Sequence, residues 1–185
     1  MFYLIKENLV PVSKEQIKTA DAQYVAVLTS SQWETEKDSF DMGIDIGLET
    51  AAIHSTKAEV NYDSLTGSFL IPSRQEPSQS SEAFAFALDE KGIVLIDDSG
   101  TAEALVTAII RTKKWRMPSL ERFLYDFLEQ IVRYDRDLLE RYDRELDAIE
   151  TAVINEEEKV TPERVNAIRG EIRDLRVHYE QLLDF

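Results

Sequence analysis

From Leu120 to Ile154 the chain repeats one pattern. Leu124, Phe127, Ile131, Tyr134, Leu138, Tyr142, Leu146, Ile149 and Val153 recur three or four residues apart, the spacing of one helical face. Pro118 disfavours helix at Met117, and Ser119 can cap a helix that starts at Leu120. At about 1.5 Å per residue the pattern predicts a single rod on the order of 50 Å long. A second stripe, Val165, Ile168, Ile172, Leu175, Tyr179 and Leu182, comes after Thr161 as N-cap and Pro162 at the first helical position. It is still in phase at Phe185, and no glycine, asparagine or proline closes it. The expectation is a helix that runs on in a longer protein. The short acidic link between the stripes, residues 155–160, forces an antiparallel helical hairpin.

Upstream the period changes. Phe2–Ile5 and Leu9–Val12 flank a polar turn and read as a hairpin, with Pro11 placing its strand at an edge. Tyr24–Leu28 is a short apolar run of the buried-strand type, and Thr29, Ser30 and Ser31 offer caps for a helix through Trp33. Residues 58–62 and 65–71 read as an antiparallel pair. Residues 72–82 carry no period and read as a loop. Residues 83–88 and 93–97 form the clearest hairpin, with Gly92 available for positive φ in its turn. Ser99 or Thr101 can cap a helix from Ala102 to Thr112. Residues 1–116 therefore read as an α/β domain and 117–185 as the helical hairpin.

Composition narrows the function. There is no cysteine, which excludes disulfides, thiolate metal sites and cysteine nucleophiles. No apolar run reaches membrane-spanning length, and Met1–Lys6 lacks the features of a secretory signal. A net charge of -15 weighs against nucleic acid and suits cations or basic surfaces. Residues 117–185 hold 18 acidic and 10 basic side chains, and 1–116 hold 18 and 11. Four of those 11 are Arg111, Lys113, Lys114 and Arg116, which could meet anionic head groups or serve a helix C-terminus. Pairs at i,i+4, such as Glu129–Arg133, Asp137–Arg141 and Glu140–Arg144, support the long helix.

No catalytic constellation emerges, and no enzyme is expected. His54 and His178 lie in different elements, and His178 stands four residues after Asp174, as in a surface ion pair. There is no P-loop, GxGxxG or GxSxG. Glu156, Glu157 and Glu158 form an acidic tip; Asp97-Asp98 ends a strand and suits turn chemistry or a hard cation. The aromatic stripe Phe123, Phe127, Tyr134, Tyr142 reads as helix packing.

Three runs carry a resemblance: Phe123-Leu124-Tyr125-Asp126-Phe127-Leu128, residues 139–150 (LERYDRELDAIE), and residues 168–176 (IRGEIRDLR). In order, spacing and length they resemble the cytoplasmic helical region of the CorA family of divalent-cation transporters. The resemblance implies an α/β/α sandwich with a mixed sheet followed by a long antiparallel helical hairpin, on the cytoplasmic face of the cell membrane. It implies homo-pentamers whose membrane segments, with a Gly-Met-Asn signature, lie outside these residues, and magnesium or cobalt as the ion. It also implies a regulatory Mg²⁺ between domains. The nearest match to the family's acidic motif is Gly43-Ile44 followed by Leu48-Glu49-Thr50, which makes Glu49 the candidate metal ligand. Threonine stands where the second acid is expected, and it is a poorer partner for Mg²⁺. A soluble adaptor using the helix pair as a coiled-coil surface is the alternative.

Overall fold

The computed structural model describes residues 1–42, 53–72, 81–155 and 162–184. In chain order the strands are β1 (Phe2–Ile5), β2 (Leu9–Val12), β3 (Tyr24–Leu28), β4 (Lys57–Val60), β5 (Leu65–Ile71), β6 (Glu82–Leu88) and β7 (Gly92–Ile96). The helices are α1 (Lys14–Thr19), α2 (Ser30–Glu36), α3 (Thr101–Thr112), α4 (Leu120–Val132), α5 (Asp135–Ile154) and α6 (Pro162–Leu183). The strands form one mixed sheet in the order β2-β1-β3-β7-β6-β5-β4. β3 and β7 pair in parallel at its centre, and the pairings to either side are antiparallel.

Alternation along the strands sends side chains to two faces. Val25, Val27, Phe69, Phe84, Phe86, Ile93 and Leu95 meet Val106 and Ile109 of α3 and Phe123, Phe127 and Ile131 of α4. On the other face Tyr24, Ala26, Leu28, Val94 and Ile96 meet Ile17 of α1, Trp33 of α2 and Phe40. The result is the α/β/α sandwich. Pro11 lies on the edge strand β2, where its missing N–H costs no ladder bond. The Thr29 cap forms as expected, its hydroxyl accepting from the Gln32 N–H and the Gln32 side chain accepting from the Thr29 N–H.

Three expectations change. Helix α1 is an addition to the pattern, although Ser13 and Gln16 make a capping box there. Gly92 has no positive φ; it is needed because a Cβ would lie 2.5 Å from the Tyr24 carbonyl oxygen on the paired strand. Among the described glycines the positive φ, +85°, falls instead at Gly100, before α3. Finally, the predicted single rod is broken at Arg133-Tyr134, where Tyr134 leaves the helical region at φ -101°, ψ 4°. The reason is packing. Phe123, Phe127 and Ile131 must face the sheet, whereas Leu138, Tyr142 and Ile149 must face α6. One straight stripe cannot serve both directions.

Candidate functional site

The candidate ligand Glu49, the acidic tip Glu156, Glu157 and Glu158, and Thr161 lie outside the described residues. Asp97 and Asp98 are within them, and both are engaged by helix starts. Asp97 Oδ2 accepts from the Ala102 N–H at 2.7 Å, and its Oδ1 accepts from the Ser99 N–H at 2.7 Å and the Ser99 hydroxyl at 2.6 Å. Asp98 accepts from the Ser30 N–H at 2.9 Å and the Ser30 hydroxyl at 2.5 Å. They serve the first turns of α3 and α2, the turn chemistry expected of them. Among the described residues no group of three or more His, Asp or Glu side chains could hold a metal ion.

The basic cluster does not act as one patch. Arg111, Lys114 and Arg116 are exposed, but Lys113 turns inward and is half-buried. Its ammonium donates to Glu129 at 2.6 Å and lies 3.4 Å from Asp126. Asp126 is fully buried, accepts from the Trp115 indole N–H at 2.6 Å, and has the Arg122 guanidinium at 3.6 Å. This elbow ties α3, the α3–α4 connection and α4 together. Sequence reasoning missed it because Arg122 and Asp126, four apart, pass for a surface pair. The signal was Asp126 standing inside the apolar stripe beside Phe123 and Phe127.

A second polar set mounts the hairpin on the sandwich. Asp135, at the start of α5 and 1 % exposed, accepts from the Tyr179 hydroxyl at 2.8 Å. Gln181 Oε1 accepts from the Thr56 N–H at 2.9 Å, next to the edge strand β4. Farther out, the Tyr142 hydroxyl donates to Glu171 and Arg164 pairs with Glu145. His178 is buried at 2 % exposure with its ring 6.0 Å from that of Tyr179, so it is not the surface group that its spacing from Asp174 suggests. His54 is exposed. Of the aromatic stripe, Phe123, Phe127 and Tyr142 are packed, and Tyr134 is exposed under the Arg133 guanidinium.

Three groups make the fold sensitive to base. Burial, and then the charge of Asp89, raises the Tyr24 hydroxyl well above its usual range. Burial, and then Glu171, does the same to Tyr142. Its hydrogen bond with Glu129 raises Lys113. In each case the folded state holds its proton more tightly than the unfolded chain. That stability is present below the unfolded pKa of about 10 and is lost as pH rises above it. We expect the melting temperature to hold near neutral pH and fall above about pH 10. Circular dichroism melts, with absorbance reporting tyrosinate, will check this; equal melting temperatures at about pH 8 and about pH 11 would contradict it.

No family model matches the sequence, and a search of curated proteins finds no match. Solved structures do match. The full-length CmaX protein superposes with a TM-score of 0.70 at 13% identity, over 99% of this chain and 60% of its own length. The complete CorA magnesium transporter from Methanocaldococcus jannaschii gives 0.69 at 14% identity, over 98% of this chain and 61% of its own. This chain has the fold of CorA's soluble part. The soluble domain of CorA from the same organism gives 0.51 at 18% identity over 99% of this chain and 88% of its own. The chain thus spans about three fifths of the two longer proteins. Both longer structures are matched over nearly the whole of this chain, sandwich and hairpin together. No described helix is long and apolar enough to cross a membrane.

Proposed function

We propose that this chain is the cytoplasmic regulatory domain of a CorA-like magnesium or cobalt transporter, sensing the ion without conducting it. The observation that supports this is the extent of the CorA likeness: 98% of the chain follows the complete transporter, helical hairpin included. The full protein is then a homo-pentamer anchored by membrane segments outside these residues. The regulatory Mg²⁺ is assigned to a site shared between copies, with Glu49 its candidate ligand from this chain.

Two measurements test the two halves of this reading. The coding sequence beyond residue 185 should encode apolar spans and a Gly-Met-Asn signature; a stop codon there would overturn the transporter assignment. In the assembled full-length protein, millimolar Mg²⁺ should raise the melting temperature beyond what a sodium salt of matched ionic strength achieves, since a specific ligand stabilises by mass action. Equal shifts would leave charge screening alone and overturn the sensing role.

A further inference from the structure

Two turns of the sheet and the start of α4 are tied together around a cleft. The Asn61 N–H donates to the Ser64 carbonyl at 2.8 Å and closes the β4–β5 turn. Leu65 pairs with Leu88, which sets that turn beside the β6–β7 turn. There Asp89 Oδ1 accepts from the Lys91 N–H at 2.8 Å and the Gly92 N–H at 2.9 Å. Gln23 joins the helix to this turn: its amide nitrogen donates to the Glu90 carbonyl at 3.0 Å, and its oxygen accepts from the Leu120 N–H at 2.7 Å. The cleft between these pieces has a volume of about 440 Å³, within the range of small-molecule sites.

Its base is apolar and its rim acidic. Leu65, Leu88, Leu120 and Leu124 line it; Leu120 belongs to the sheet's core and the other three pack against that core. Asp63, Asp89, Glu90 and Glu121 line it as well, and no described lining residue is basic. Burial holds the Asp89 carboxyl above the usual carboxylate range despite its two N–H donors, and the charge of Glu90 adds to this. A cation in the cleft would oppose both causes. Ser64 points independently to a ligand. It lines the cleft at 8% exposure, and its buried hydroxyl has no hydrogen-bond partner among the described residues. The four carboxylates do not converge, since no three of them could hold one metal ion. Separated anionic charges over an apolar base match a ligand whose own charges are spaced along a hydrocarbon chain. We propose that this cleft binds an aliphatic polyamine. Its ammonium groups pair with the separated carboxylates, its methylenes lie on the leucines, and one N–H donates to Ser64 Oγ. The site is distinct from the shared Mg²⁺ site and does not rest on the transport reading.

The test uses the full-length protein, with every segment beyond these residues in place. Calorimetric titration with spermidine at about 0.15 M salt should show one saturable site per chain. Asp63→Asn with Glu121→Gln removes two exposed charges at nearly constant volume and should weaken binding about 10-fold. Asp143→Asn with Asp147→Asn removes the same charge from the exposed side of α5 and should leave binding unchanged. Ser64→Ala should weaken it about 3-fold, as for one lost hydrogen bond. Butylamine, a similar hydrocarbon with a single charge, should bind about 10-fold more weakly than spermidine. Mg²⁺ should displace spermidine no better than a sodium salt of matched ionic strength. Absence of a saturable site, as in a cleft covered by another segment, would overturn the proposal. So would equal losses in the two double variants, butylamine binding as tightly as spermidine, or displacement specific to Mg²⁺.

Discussion

Replacing Asp126 by alanine will lower the stability of this fold by about 3 kcal/mol, the low end of the cost of breaking a buried charge pair. The carboxylate has no exposure, and its removal orphans the Trp115 indole N–H, itself nearly buried. An unsatisfied buried donor costs about 1–3 kcal/mol alone. Lys113 softens the loss because it keeps Glu129 and part of its side chain reaches solvent. Arg122, more than half exposed, adds little. Asp126→Asn keeps an acceptor for Trp115 and should recover about half of the loss. Urea unfolding at constant m-value is the measurement. An Asp126→Ala midpoint indistinguishable from wild type would mean that the elbow does not hold α3 to α4.

Phe127→Ala should cost about 4 kcal/mol, the usual scale for emptying a buried aromatic site. Its ring lies 6.0 Å from Phe69, 5.9 Å from Phe84 and 5.6 Å from Phe123, so it joins two strands to α4. Phe127→Leu should recover most of that by refilling the volume. Against a total stability of about 5–15 kcal/mol the alanine variant loses a large share. Hydrogen exchange should show lost protection in α4 and in the mounted hairpin together. Loss confined to α4 would show that the hairpin's mount on Thr56 suffices without it.

The sheet is legible because its strands are short apolar runs set between turn residues, and Pro11 alone identifies an edge. The Thr29 cap is legible because a hydroxyl followed three positions later by Gln32 is a local signal. Helix α1 carries the same signal at Ser13 and Gln16, but with Ile17 as its one buried residue it has too few apolar positions to show a period. The break at Arg133-Tyr134 leaves no mark, since neither residue is a breaker and the stripe passes through unaltered. What breaks the helix is the difference in direction between the sheet and α6, a tertiary fact. The candidate site divides likewise. Asp97 and Asp98 are recognisable as turn residues from their neighbours in sequence. Asp126, Asp135 and His178 owe their burial to partners that no local pattern announces.

The base of the hairpin is held by the chain at Arg133-Tyr134 and, among the described residues, along one short stretch of α6 where Gln181 meets Thr56 and Leu182 packs on the sheet's core. A body held only along its base turns most easily about the line through those holds. Helix α5 has 20 residues and so reaches about 30 Å. Turning it through about 10° carries its far end about 5 Å, on that length. The hairpin is in this respect a pointer with a fixed bearing, and a shift at the sheet's edge of a size that side-chain repacking can absorb becomes, at the tip, a displacement as large as a helical turn.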